Sequence, residues 1–315
     1  MKQFIGEVPS FLSGSHSGEL AALLTAMFWT VTALAFEAAS KKIGSLIVNL
    51  FRLIVGFVFL SLFTWIYRGF LFPIDATGSA WFYLILSGLI GFVFGDLCLF
   101  QAFVVIGARI SMLLMALAPP FTALFSYIFL KEELSSKSWA GMIITLSGVA
   151  LVVLKREDPL TKSSFFNKVR FSYPIWGILL GLGGAIGQAG GLVLSKFAMH
   201  GYNAFASAQI RVIAGIAGFL VLFVIMHMWK EAFRALSYRK PMLQLSLGAF
   251  FGPFLGVSFS LLAVQLTSAG IAATIMSIVP VLIIPPAMIL FKEKVTAKET
   301  IGAVLAVTGV AFFFL

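Results

Sequence analysis

A handful of polar residues stand inside long apolar runs. Asp96 is the deepest, in Gly91-Phe-Val-Phe-Gly-Asp-Leu-Cys-Leu-Phe100. A carboxylate there can bind a substrate amine, carry a proton, or simply bond a neighbouring helix; ionisable groups so placed are functional candidates by default. Glu37 shares a helical face with Thr25, Trp29 and Thr32, a few residues before Lys41-Lys42. It lines a pore or pairs with a lysine at the interface. Lys196 is the matching position in the second half of the chain, a second gating charge or a snorkelling amine. Arg109 draws anions into a mouth or anchors a helix end. The uncharged candidates for substrate contact are Trp29, Gln101, Gln188, Ser258 and Gln265, with Ser258 and Gln265 seven apart on one helical face. An aromatic plane opposite an amide, Trp29 against Gln188, suits a small amphipathic ligand.

Catalytic sets are missing. The chain has His16, His200 and His227 and one cysteine, Cys98. It has no HExxH, CxxC, GxSxG or P-loop, so no metal site, cofactor, nucleophile system or direct ATP drive is expected. One cysteine forms no intrachain disulfide.

These residues need helices to hold them. The chain is 315 residues, 60% hydrophobic and 11% charged, against about 25% charged in soluble domains. Such a chain is read as an all-α polytopic membrane protein. The net charge of +10 is assigned to loops on the cytoplasmic side rather than to nucleic acid, because no basic, aromatic-interleaved soluble segment exists. Ten spans are expected, near 18–40, 45–67, 79–102, 107–130, 137–154, 173–199, 203–229, 241–265, 268–291 and 297–315. The segment 1–17 reads as a frayed tail and 155–172 as a basic linker. The first apolar run is read as a retained helix rather than a signal peptide, because an internal helix matches it.

That match is part of a duplication. Residues 107–150 align without gaps on 268–311, with twelve identities in 44 pairs, among them Met115/Met276, Pro119/Pro280, Lys131-Glu132/Lys292-Glu293, Gly141/Gly302 and Gly148/Gly309. The same offset of 161 joins Gly91/Gly252 and Gly95/Gly256; an offset of 159 joins Ala26/Ala185, Arg52/Arg211 and Gly56/Gly215. The halves, 18–154 and 173–315, hold five spans each. Five is odd, so the second copy enters the membrane from the other side. Inverted repeats place a site at their interface near the midplane. Pro119 interrupts the fourth span, Pro280 and Pro285 the ninth, and Pro253 the eighth. Paired interruptions are a pointer to such a site. The ladders Gly91/Gly95, Gly183/Gly187/Gly191 and Gly248/Gly252/Gly256 bring helix backbones together. Arg52 and Arg211 are expected to hold loop carbonyls or lipid headgroups rather than to bind anions. Lys and Arg near the loops divide fifteen to five. The majority side is the cytoplasmic one by the positive-inside rule, so both termini are expected outside the cytoplasm.

In this setting the chain resembles the EamA branch of the drug/metabolite transporter superfamily. The resemblance rests on Ala26-Met27-Phe28-Trp29, Asn49-Leu50-Phe51-Arg52, Gly91 and Gly95 before Gln101-Ala102, the mid-helix Pro119 and Pro280 before Glu-containing turns, and Gly148-Val149 with Gly309-Val310. It implies export or exchange of a small metabolite, such as an amino acid or related compound, across the inner membrane. Many relatives keep their termini in the cytoplasm, against the charge division here, and Gln188 departs from the Trp of the first repeat. A phosphorylated or nucleotide-sugar-like anion is the alternative substrate. Asp96 and Glu37 weigh toward zwitterions, cations or neutral compounds. A proton is the expected coupling ion, and Asp96→Asn is expected to abolish proton-linked transport. A channel or a membrane-embedded enzyme is disfavoured, and a monomer or weak dimer is expected.

Overall fold

The structure is a computed structural model that describes residues 16–153, 174–286 and 297–312, and its regular elements there are all helical. Helix α1 (Ser17–Ile43) turns into α2 (Ser45–Arg68) at Gly44, whose φ of 87° is one that few other residues adopt. Helix α3 (Gly78–Gly88) starts at Thr77, whose side chain accepts a bond from the Ala80 amide. It passes through a π-helical stretch, Leu89–Asp96, into α4 (Leu97–Met115), itself kinked at Gly107 with φ 80°. Helices α5 (Ala118–Leu130) and α6 (Ser136–Val153) complete the first half.

The second half repeats the plan. It runs α7 (Ile175–Met199), α8 (Ala204–Met226), a short α9 (Trp229–Ala235), α10 (Arg239–Ala249), a second π-helical stretch at Phe250–Gly256, and α11 (Val257–Leu266). Helices α12 (Ala269–Met276), α13 (Val279–Leu282) and α14 (Ala297–Ala311) follow. The two π-helical stretches begin at residues separated by the repeat offset, so the duplication preserves an irregular backbone as well as regular helix.

Seven of the ten expected spans are long and apolar enough to cross a membrane: Ser17–Ile43, Ser45–Arg68, Gly78–Ala108, Ile175–Met199, Ala204–Met226, Arg239–Leu266 and Ala269–Pro286. The others differ for a physical reason. The fourth is divided at Ala116–Leu117, where Pro119 sits in the first turn of α5 and cannot continue a preceding helix. The described pieces Ala118–Leu130 and Thr300–Ala311 are short, and α6 has 18 residues. The segments expected as a tail and a linker lie outside the described residues, save Ser17 of α1 and the tail's His16.

The halves embrace each other. The Leu89–Asp96 stretch packs on α7 of the other half, where Gly91 and Gly95 face Gly191 and Gly187. Its repeat mate packs on α1, where Gly252 faces Thr32 and Gly256 faces Trp29. Gly56 meets Pro253 while Gly215 meets Phe92. Helices α6 and α14 cross with the backbones in contact. Gly148 meets Gly302 and Ala306, and Gly309 meets Gly141 and Thr145. Each contact maps onto its counterpart by the offset of 161. Early residues of one helix meet late residues of the other, so the pair is antiparallel about a local two-fold. A side chain at Gly148 or Gly309 would run into the backbone of the facing helix and force the two apart.

Candidate functional site

Two adjoining cavities occupy the centre of the bundle and share Trp29, Met112, Met115 and Gln188 on their walls. The first, of about 390 Å³, lies at the helix breaks. It is walled by repeat mates: Trp29 with Gln188, Met112 with Ala273, Met115 with Met276, Ala116 with Ser277, Ala118 with Val279. It therefore sits on the local two-fold. Breaking α4/α5 and α12/α13 at matching depth creates the room. Pro280 is itself on its wall. Thr122 also lines this cavity, and its buried hydroxyl has no hydrogen-bond partner.

The second cavity, of about 530 Å³, is aromatic and charged. Its wall includes Phe36, Phe92, Phe100 and Phe103 together with Arg52, Asp96 and Val257. Arg52 is ion-paired with Asp96, and its Nε donates to Asn49 Oδ1 at 3.0 Å. Asn49 Nδ2 in turn donates to the Asp96 carbonyl at 3.3 Å. The guanidinium lies over the rings of Phe100, Phe36 and Phe92, at 4.5, 5.5 and 5.7 Å. Arg52 is 4% exposed. The expected lipid or loop role for this residue gives way to an internal ion pair, because two turns inside α2 it faces the bundle and meets the one acid at that depth.

Its repeat mate Arg211 is 3% exposed and lies 4.9 Å over the other side of the aromatic cluster, on Phe92. It forms no ion pair among the described residues, and its Nε has no hydrogen-bond partner. The position corresponding to Asp96 in the second half is Val257. One acid thus stands near two symmetry-related arginines and pairs with Arg52 alone.

Of the six residues expected to touch substrate, Trp29, Asp96 and Gln188 line the cavities. The other three are placed elsewhere. Gln101 Oε1 accepts from Ser45 Oγ at 2.6 Å. Ser258 is fully buried with an unpartnered hydroxyl, on the wall of neither of these two cavities. Gln265 Nε2 donates to the Tyr202 carbonyl at 3.0 Å near a bundle end. Glu37 pairs with Lys41 at 2.6 Å, one turn along α1. Lys196 pairs with Glu132 at 2.5 Å and donates to the Thr267 carbonyl at 2.7 Å. Pro253 lies within the second π-helical stretch and Pro285 just beyond α13; the Arg109 side chain is outside the described residues. Asp96 and Glu37, which weighed toward zwitterions, cations or neutral compounds, are both ion-paired within the protein. Residues not singled out beforehand, Phe36, Phe92, Met112 and Thr122, carry much of the wall. Trp29, Gln188 and the paired Pro119/Pro280 breaks were the signals in the sequence for the axial cavity, and Trp29, Gln188 and Pro280 line it.

An all-helical, duplicated chain with several membrane-length apolar helices is a multi-pass membrane protein. A family model described as "EamA-like transporter family" matches residues 16–154 and again 175–315. The chain belongs to that family, a branch of the drug/metabolite transporter superfamily. It is 30% identical over 131 residues to the uncharacterized transporter YdfC of Bacillus subtilis (strain 168), a match covering 42% of this chain and 38% of that protein. It is 24% identical over 233 residues to an uncharacterized transporter of Clostridium kluyveri, covering 74% and 72%. A protein of known crystal structure shares the fold, with a TM-score of 0.67 at 16% identity over 94% of this chain and 96% of that one.

Proposed function

We propose that the protein is a secondary active transporter, an exporter or exchanger of a small organic metabolite such as an amino acid, working by alternating access in the inner membrane. The observation that carries this reading is the axial cavity walled by repeat mates at two matched helix breaks. A site on the local two-fold between inverted halves is reachable from either side when the halves rock, without being rebuilt. The reciprocal antiparallel crossing of α6 and α14 supports the inversion. Ten spans then form two five-helix units, the fourth and ninth each crossing as a broken helix. Both halves lie in one chain, so a monomer holds a complete site.

The excess of Lys and Arg in the loops at the Lys41 end supports a cytoplasmic position for that end, with both termini outside. A C-terminal fluorescent fusion that is bright in the cytoplasm overturns that orientation. Transport itself is tested in proteoliposomes. Saturable uptake with counterflow is expected, reduced by Trp29→Ala and Gln188→Ala. Flux that is linear in substrate and lacks counterflow means a channel.

A further inference from the structure

We infer that the central site binds the carboxylate of a small organic acid at Arg52, and that Asp96 then passes from Arg52 to Arg211. The inference rests on the transporter reading and assigns its substrate class. Its starting point is charge. Around Phe92 stand two buried guanidiniums and one carboxylate, that of Asp96, so among the described residues one of these positive charges has no ion partner. A buried charge left unpaired is costly, and a second anion removes that cost.

Arg52 is the receiving group. It faces the larger cavity, and two of its five N–H donors are committed, one to Asn49 and one to Asp96. The aromatic wall accepts an apolar body behind the carboxylate. Arg211 is the relay. A side chain at Gly91 would lie 2.8 Å from its Nη2, so the guanidinium rests against Gly91. Asp96 is five residues further along the same π-helical stretch, where positions i and i+5 stack one turn apart. Both guanidiniums lie over the Phe92 ring, Arg52 at 5.7 Å and Arg211 at 4.9 Å. Moving Asp96 to Arg211 while the ligand takes Arg52 leaves two guanidiniums and two carboxylates. Every charge is then paired. Because Arg52 and Arg211 belong to opposite halves, the handover changes which half holds Asp96. That ties occupancy to the relative position of the halves.

The test uses the purified full chain in detergent, with 3-phenylpropionate, its uncharged amide and 3-phenylpropylamine as probes. The acid is expected to raise the melting temperature at millimolar concentration, and the amide and amine are not. Arg211→Met is expected to abolish the acid's effect, and Arg211→Lys to retain part of it. Asp96→Asn removes the internal competitor, so acid affinity is expected to rise roughly tenfold, about 1.4 kcal/mol. An acid that holds Asp96 rather than replacing it at Arg52 predicts the reverse sign. Should Arg211→Met not fold, the Asp96→Asn result decides alone. Stabilisation by the amine but not the acid, no response to the acid, or acid affinity unchanged or lost in Asp96→Asn overturns the inference. Counterflow of an amine that Arg211→Met leaves intact sinks the inference while the transporter reading stands. Acid binding without any counterflow does the opposite.

Discussion

The two ends of the bundle are built from the same repeat and held together by different chemistry. At the end carrying Arg68, Tyr202 and Thr267, polar groups tie one half to the other. Tyr202 bonds Asp75 Oδ1 at 2.8 Å and receives a bond from Arg68 at 3.4 Å. Gln209 donates to Ser61 Oγ and to the Leu71 carbonyl, at 2.9 and 2.6 Å. Glu132 pairs with Lys196 and accepts from the Ala269 amide at 3.0 Å, while Thr267 donates to Glu19 at 2.9 Å. Towards the Lys41 end the described mates of several of these groups are apolar; Glu293, the mate of Glu132, lies outside the described residues. Ser87 and Ser195 bond at 2.6 Å in one half-membrane; their mates are Gly248 and Phe36, which pack ring on backbone. Gln209, Ser61 and Thr64 correspond to Leu50, Leu220 and Phe223. Glu37, the mate of Lys196, pairs within its own helix. Water can replace hydrogen bonds one for one when an end opens, whereas interlocked rings must be pulled apart with nothing to replace them. The contrast therefore describes one end held by exchangeable ties and another held by packing.

The largest break in that contrast is Phe36→Ala. Phe36 is fully buried, 5.1 Å from Phe100 and under Arg52. Truncation is expected to cost about 2–3 kcal/mol, the packing part of such a loss, since a helix unfolded into lipid keeps apolar surroundings. Thermal unfolding in detergent measures it; a loss no larger than that of Ser87→Ala ends the claim that packing holds this end.

Lys196→Met comes next. Both partners of its ion pair are about 20% exposed, so a loss of about 1–2 kcal/mol is expected, between exposed and buried pairs. Glu132 then has no cation, and hydrogen exchange of the Ala269 amide is expected to quicken roughly tenfold. Unchanged exchange there would show that the pair does not hold the Arg68 end.

Ser87→Ala removes a hydroxyl that bonds both the Gly191 carbonyl and Ser195 Oγ at 2.6 Å across the halves and is expected to cost about 1 kcal/mol. The Gly191 carbonyl keeps Ser195 as a donor at 2.7 Å, which limits the effect. A cost near that of Lys196→Met would mean that the serine pair, not the ion pair, is the main tie.

The smallest effect is expected from Tyr202→Phe, about 0.5–1 kcal/mol for hydrogen bonds at a half-exposed loop. Burial raises the Tyr202 phenol to about 12, with the neighbouring Asp75 adding to the rise and Arg68 opposing it. A raised value in the folded state means stability present in full below the ordinary 10 and lost as pH climbs towards 12. Exchange of the 69–77 amides is thus expected to be flat in pH, after correction for intrinsic rates, up to about 10 and to rise above it. In Tyr202→Phe the upward limb should vanish; its persistence would assign it to another group.

Much of the frame was legible in the chain. Small residues at matched offsets foretold the backbone crossings, and Pro119 with Pro280 foretold the breaks, because both act locally on helix geometry. The cavity wall was less legible. Trp29, Gln188 and Asp96 were found as polar or broken-symmetry positions in apolar helix. Phe36, Phe92 and Met112 look like any lipid-facing residue until the crossing angles are known. Gln101, Ser258 and Gln265 carried the same signal as Gln188, yet Gln101 and Gln265 point to ties and Ser258 into a packed helix. Helical periodicity gives a face but not the neighbour it meets.

The sequence by itself determined a duplicated, apolar, helical chain, the places where its helices bend, and the family. Those follow from composition, offset and the covalent limits of proline and glycine. The tertiary structure decided how the charges are shared. Arg52 and Arg211 are equivalent in sequence, and only the packing of α2 and α8 around one π-helical stretch gives Asp96 to the first and leaves the second without an ion partner. Pairing depends on distances of a few ångströms between segments far apart in the chain, and no local rule of sequence sets them.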